Sequence, residues 1–258
     1  MQDLTVTLVQ SPLAWLDAAA NREHFAGVIA GEAGRGNLVV LPEMFTTGFT
    51  MAPEAVAETM DGPSVAWMAD TARRHGITLC GSLVIRDADS YRNRLVWMPP
   101  DGRPGWYDKR HLFRMADEHR HYVGGRERAV FEIGGWRVCP LICYDLRFPV
   151  WSRGANAFDL QLYVANWPAA RRSAWRALLP ARAVENQCYV AGVNRIGLDG
   201  NGIRYSGDTL AADPFGNLIA DAGDRAGAVS VRLDGRSLLA YREKFPAWRD
   251  ADDFRLVE

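Results

Sequence analysis

Four cysteines occur in the 258 residues, and one of them stands where chemistry could be done. Cys139 and Cys143 share the run RVCPLICYDLRFP, residues 137–149. Along a strand rising about 3.3 Å per residue they would lie roughly 13 Å apart, well beyond the ~7 Å between Cα atoms that a disulfide tolerates. Pro140, between them, argues against the helix that would bring them within one turn of each other. Cys80 in ITLCGSLVI and Cys188 in ENQCYVAGV sit among apolar residues and read as small buried hydrophobes, as does Cys139. Cys143 differs, because it closes the apolar run and YDLRFP follows at once. A thiol there would project into a site from an anchored strand end, and the turn would offer backbone N–H groups to a developing oxyanion. The local pattern leaves open the alternative that Cys143 is one more core residue.

A working cysteine needs a base or a nearby cation, since a free thiol is only a few per cent thiolate at neutral pH. Two charges stand in unusual places. Glu43 directly follows the buried-type run NLVVLP, where it is either a solvated loop residue or a carboxylate held at a strand end for proton transfer. Lys109 lies in GWYDKRHLF between aromatic and apolar neighbours, and only Lys244 accompanies it among 30 basic residues. A compact ammonium beside a thiolate is a role arginine fills poorly, and a snorkelling surface lysine is the plain alternative. His119 and His121 in DEHRHY could offer two metal ligands from one strand face. With no CxxC spacing and no further ligand cluster, an exposed polar loop is the better reading and no metal is expected.

These residues must be positioned by regular elements. Strand-like runs recur along the chain: LTVTLV, NLVVLPE, ITLCGSLVI, NRLVWM, WRVCPLICYD, LQLYVAN, CYVAGVNRI and GAVSVRL. Helical spacing appears between several of them. WLDAAANREHFAGVIAGEA puts Leu16, Ala20, Phe25, Val28 and Ile29 near one face. GPSVAWMADTARRHG opens on Pro and closes on Gly76. SAWRALLPARAVENQ carries Trp175, Leu178, Leu179 and Val184 as its apolar stripe, with Pro180 expected to kink it or mark its start. TLAADPFGNLIADA reads as a hairpin turning at residues 213–217. Strands alternating with helices, then a late hairpin, predict an α/β fold with mixed sheets. No linker or repeat interrupts the chain, so one domain over residues 1–258 is expected.

Composition narrows the function. The chain is 48% hydrophobic and 24% charged with a net charge of −1. No long basic run exists, which argues against a nucleic acid or an anionic membrane as partner. The first ten residues alternate like a strand and do not resemble a signal peptide, and no apolar run reaches the length of a membrane span. A soluble, cytoplasmic protein with free thiols is expected.

Taken in order, LPEMFTTGF around Glu43, YDKRHLF around Lys109 and LICYDLRFP around Cys143 resemble the nitrilase, or carbon–nitrogen hydrolase, superfamily. ANWP from Ala165, ARAVENQCYVAGVNRIG from Ala181 and DPFGNLIA from Asp213 are similar to its downstream motifs, so the resemblance spans nearly the whole chain. It implies a four-layer αββα sandwich with two mixed β-sheets, a homodimer, no cofactor, and a C-terminal tail from about residue 238 packed on the domain or on a partner. It also implies roles. Cys143 is the nucleophile, Glu43 the general base and acid, and Lys109 the oxyanion donor together with the backbone N–H of Tyr144. A second site glutamate is expected, with Glu118 the better match and Glu127 the poorer. Cys143-Tyr144-Asp145 resembles the amidase branches rather than the Cys-Trp-Glu of true nitrilases, and CYDLRFP with HLFRMADEHRHY is most similar to the omega-amidase group. That branch acts on short 2-oxo dicarboxylate monoamides through a cysteine thioester, with N-carbamoyl amino acid hydrolysis the next reading and an inactive binding scaffold a different one. Arg147 is then a candidate for the substrate carboxylate or else a structural ion pair, and Phe45, Tyr144 and Trp167 are candidate apolar walls.

Overall fold

In the computed structural model, residues 1–31, 37–254 and 256 are described. The strand-like runs assemble into two six-stranded sheets. The first contains β1 (Leu4–Gln10), β2 (Leu38–Val40), β3 (Thr78–Asp87), β4 (Ser90–Met98) and β5 (Gly105–Asp108), and β14 (Gly227–Leu233) returns to the edge beside β1. The second runs in the order β13-β12-β9-β8-β7-β6, from β6 (Phe131–Ile133), β7 (Trp136–Ile142), β8 (Leu160–Ala165), β9 (Tyr189–Asn194), β12 (Leu210–Ala212) and β13 (Leu218–Asp221). β10 (Ile196–Leu198) and β11 (Arg204–Ser206) form a separate hairpin. Each large sheet has three parallel strands at its centre, β1-β2-β3 and β7-β8-β9, flanked by antiparallel neighbours. The sheets are therefore mixed, as the late hairpin predicted.

Burial sets the layers. Leu4, Val6, Leu8, Leu38 and Val40 of the first sheet share one core with Val138, Leu162 and Val190 of the second. The alternate residues Val9, Val39, Leu79 and Leu83 face outward onto Phe25, Ile29, Val65, Met68 and Ala72 of two helices, Ala18–Gly31 and Pro63–His75. Helix Arg172–Asn186 covers the outside of the second sheet with Trp175, Leu179 and Ala183. This period-two alternation, read against helical stripes, gives the αββα order.

The helices end where their sequences say. Pro63 occupies the first turn, and Gly76 stops that helix at φ +62°, its N–H capping the Ala72 and Arg73 carbonyls. Two expected faces shift. Leu16 precedes the first helix, at φ +57° and 38% exposed, and Asn21, Phe25 and Ile29 form its buried side. The last two residues of that expected segment, Glu32 and Ala33, lie outside the described residues. In the third helix Pro180 lies inside a single continuous element, so that proline is not its start. Val184 is 49% exposed. It lies nine residues from Trp175, which at about 100° per residue puts it on the opposite side.

The C-terminal helix Gly235–Lys244 packs on the domain through Leu238 and Arg242. Arg242 is buried and donates to Asp159 at 2.5 Å, to the Phe158 carbonyl at 2.7 Å and to the Gln187 carbonyl at 2.8 Å. Breaking a buried pair costs about 3–5 kcal/mol, and Arg137, also on Asp159, cushions the loss. Arg242→Met is therefore expected to lose about 3 kcal/mol of stability in urea unfolding; a change below about 1 kcal/mol would show that the tail contributes little.

Candidate active site

The site lies where strands of the two sheets end, three of them parallel central strands and one, β5, an antiparallel edge strand. Glu43 follows β2, Lys109 follows β5 directly, Cys143 follows β7 directly and Asn166 follows β8 directly. Ends of parallel strands are where α/β sheets leave backbone groups and side chains free to converge on a ligand.

The structure brings Glu43, Lys109 and Glu118 together, and all three are completely buried. Lys109 Nζ donates to Glu43 Oε1 at 2.9 Å and to both oxygens of Glu118 at 3.0 Å. Asn93 Nδ2 bridges the two carboxylates, at 2.8 Å from Glu43 Oε1 and 3.3 Å from Glu118 Oε1. The Asn166 N–H donates to Glu43 Oε2 at 2.8 Å, and the Phe113 N–H donates to Glu118 Oε2 at 2.5 Å. Asn93 is itself oriented by Ser82, whose hydroxyl donates to Asn93 Oδ1 and accepts the Met44 N–H, each at 2.8 Å. Every charged atom here has a partner, which is what makes so much buried charge tolerable.

Cys143 stands at a sharp strand-to-turn corner. Ile142 is extended at φ −122°, and Cys143 adopts φ +44°, a conformation costly for a residue with a Cβ. The buried Asp145 holds the corner. Its Oδ2 accepts the Ile142 N–H at 3.1 Å and the Tyr107 hydroxyl at 2.7 Å, and its Oδ1 accepts the His111 N–H at 3.0 Å. The turn Cys143–Arg147 then starts with the thiol on the pocket floor, its Sγ 4.0 Å from the Asn166 carbonyl oxygen and close enough to Glu43 to feel its charge. Cys139 stays inside β7, and all four cysteines are free.

The electrostatics differ from a thiolate paired with a lysine. Burial, then the charge of Glu43, pushes the Cys143 thiol well above its usual value, with Lys109 opposing and Glu118 adding to the rise. Burial works against the Lys109 ammonium, but Glu118 and Glu43 outweigh it and hold it charged above the ordinary lysine range. Burial raises the Glu118 carboxyl, Lys109 lowers it and Glu43 raises it again, leaving it above the usual carboxylate value. One cation between two carboxylates leaves the thiol protonated at rest. Lys109 acts on the thiol in the direction expected of a neighbouring ammonium, and burial and Glu43 outweigh it.

The pocket above the thiol encloses about 660 Å³ of empty space, mouth included. Tyr144, Arg147 and Trp167 line it as expected. Phe45 does not: it is fully buried behind the site against Phe25 and Trp67, packed so tightly over β3 that a Cβ on Gly81 would come within 2.9 Å of its ring. Glu127 is exposed and outside the cluster. His119 and His121 lie in a short helix, Glu118–His121, rather than in a loop or a strand. Sequence reasoning missed Asn93, whose signal was a polar residue within NRLVWM, and Asn166, the polar member of ANWP. It also missed the opposite wall, where Asn201, Ile203 and Tyr205 come from the β10–β11 hairpin.

The model of the carbon–nitrogen hydrolase family matches residues 5–242. The chain belongs to that family. Among relatives of this carbon–nitrogen hydrolase, the protein named omega-amidase YafV of Escherichia coli (strain K12) is 51% identical over 258 residues, covering 99% of this chain and 100% of that protein. The 2-oxoglutaramate amidase of Bacillus subtilis (strain 168) is 33% identical over 254 residues, covering 95% of this hydrolase and 96% of the relative. The crystal structure of XC1258 from Xanthomonas campestris, described as a CN-hydrolase superfamily protein with an arsenic adduct in the active site, superposes with a TM-score of 0.97. It is 45% identical, and each chain is covered in full.

Proposed function

We propose that the chain is an omega-amidase that hydrolyses short 2-oxo dicarboxylate monoamides, such as 2-oxoglutaramate, through a cysteine thioester. The observation that carries the reading is the convergence of Glu43, Lys109 and Cys143 on one pocket floor, in a chain about half identical to a protein named an omega-amidase. In this mechanism Cys143 Sγ attacks the amide carbonyl carbon as its proton passes to Glu43. The carbonyl oxygen takes up the negative charge. Lys109 makes three hydrogen bonds to the two carboxylates, and in this reading it turns one of its two bonds to Glu118 onto the oxyanion, beside the Tyr144 N–H, which as an early N–H of the turn has no partner within it. Collapse breaks the C–N bond as Glu43 returns its proton to the nitrogen, and ammonia leaves a thioester. Water then gives a proton to Glu43 and attacks the thioester, and collapse frees the acid and restores the thiol. Glu118 holds Lys109 in place throughout.

Trp167 and Tyr144 would form the apolar walls, and Arg147 would meet the substrate carboxylate. The four free thiols suit a cytoplasmic enzyme. Apolar surface is available for a homodimer at the exposed Phe215 and Phe245 rings beside Tyr241. No helix among the described residues is long and apolar enough to cross a membrane.

Ammonia release from 2-oxoglutaramate, set beside an N-carbamoyl amino acid and a simple nitrile, tests the reading. The expected result is turnover of the oxo-amide well above the other two. Turnover of the carbamoyl compound alone would move the chain to that neighbouring chemistry. Silence on a broad amide panel, with wild type and Cys143→Ala binding a small amide equally, would favour a binding scaffold.

A further inference from the structure

Two guanidinium groups at the pocket stand out because nothing neutralises them. Apart from the buried Glu43 and Glu118 around Lys109, no aspartate or glutamate among the described residues lies at the pocket. Arg147 makes no ion pair among the described residues, and its guanidinium lies 5.2 Å over the Trp167 ring. Arg171, half-buried, makes none either: it sits 5.1 Å over the Phe113 ring, with an amino group 3.9 Å from the Met115 sulfur. The contrast with the next arginines is sharp. Arg172 and Arg176 are locked onto Asp208 at 2.7 and 2.9 Å, and Arg176 also reaches Asp221. Arg147 and Arg171 hang from one residue, since Trp167 lies under the first and donates its indole N–H to the carbonyl of the second at 2.8 Å. Behind Tyr205, on the hairpin wall, the buried Arg195 is 4.7 Å from that ring, with Nε and Nη1 lacking a hydrogen-bond partner among the described residues.

The floor has the opposite sign. Two carboxylates around one ammonium leave it net negative when both are ionised. A molecule with a carboxylate at one end and an amide at the other is therefore turned amide-down by the field of the pocket itself.

We propose that Arg171, together with Arg147, forms a two-guanidinium receptor for the 2-oxo-carboxylate end of the substrate and sets the selectivity for anionic over neutral amides. The inference rests on the amidase reading above. A planar fork can bind both carboxylate oxygens of the substrate, and the second guanidinium is then free for the neighbouring oxo group. Laying each guanidinium on an aromatic ring orients it without consuming its N–H donors.

The experiment measures kcat/KM of the full chain on 2-oxoglutaramate, on glutaramate, which lacks the oxo group, and on uncharged pentanamide. Hydrogen bonds to charged groups are worth enough that Arg171→Gln is expected to lower the ratio of 2-oxoglutaramate to pentanamide about 10- to 100-fold, mainly through KM. Arg171→Lys keeps the charge without the fork, so it should lose the preference for 2-oxoglutaramate over glutaramate first; it also serves if Arg171→Gln does not fold. A ratio within about twofold of wild type in both variants overturns the assignment of Arg171 while leaving the amidase reading intact. Wild-type protein inactive on all three amides overturns the amidase reading, and the receptor with it.

Discussion

Glu43→Gln is expected to abolish measurable turnover while making Cys143 easier to alkylate. The first effect follows from removing the carboxylate that takes the thiol's proton in the proposed mechanism; losing one member of such a set typically costs about 10⁴-fold or more. The second follows from the sign of the local field. The thiol is pushed up by burial and then by the charge of Glu43. Removing that charge brings the thiol down, so at a given pH more of it is thiolate. The iodoacetamide reaction of Cys143 should accelerate, and its pH profile should move to lower pH. Lys109 keeps Glu118 as its partner, so the substitution leaves no buried cation unpaired. Cys143→Ala should be equally inactive and shows that the label is on this thiol. An alkylation profile that stays where it is, or one that moves to higher pH, would remove the argument that the resting enzyme holds a protonated thiol.

The two halves of this site were not equally visible in the sequence. Cys143 could be separated from Cys139 by a purely local argument, because an apolar run ends at one and continues past the other, and β7 ends at Ile142. Glu43 and Lys109 stood out as charges against apolar neighbours, and both prove fully buried. Their meeting is a matter of tertiary structure: Glu43 and Lys109 are 66 residues apart and touch because β2 and β5 belong to one sheet with their ends near β7 of the other. No periodicity encodes that, and it was the order of the motifs that suggested it. Asn93 was hidden because an asparagine in a strand gives no sign of what it faces. Phe45 misled because a phenylalanine two residues past a catalytic-type glutamate can turn to the pocket or to the core, and the absence of a side chain at Gly81 opens the core to it. The strands came through as their branched residues suggested, whereas helix faces containing valine and leucine at both core and surface positions were read one position wrong at Val184.

Lys109→Met should be the most destabilising change at the site, and its stability should depend on pH in a direction opposite to ordinary acid unfolding. The ammonium is the only cation touching Glu43 and Glu118 among the described residues, both completely buried. Without it two carboxylates face each other in a dry cluster, and at least one must take up a proton. A carboxyl whose folded pKa is raised above its unfolded value of about 4.3 binds more protons in the folded state. Stability then falls as pH rises from that value through the raised one. Wild type already leans this way at Glu118, where burial is the leading cause and Lys109 the restraint. The variant is therefore expected to melt closer to wild type at pH 5 than at pH 8, with the shortfall at pH 8 corresponding to about 3–5 kcal/mol. Turnover should fall at least 10²–10³-fold through loss of the oxyanion donor. Adding Glu118→Gln to Lys109→Met removes one of the two like charges. It should return much of the stability at pH 8 and none of the activity. Equal melting deficits at both pH values would mean that packing around the lysine stem, rather than charge, governs the cluster. Recovery of turnover in the double variant would mean that Lys109 serves only to hold the carboxylates in place, and that the oxyanion is stabilised elsewhere.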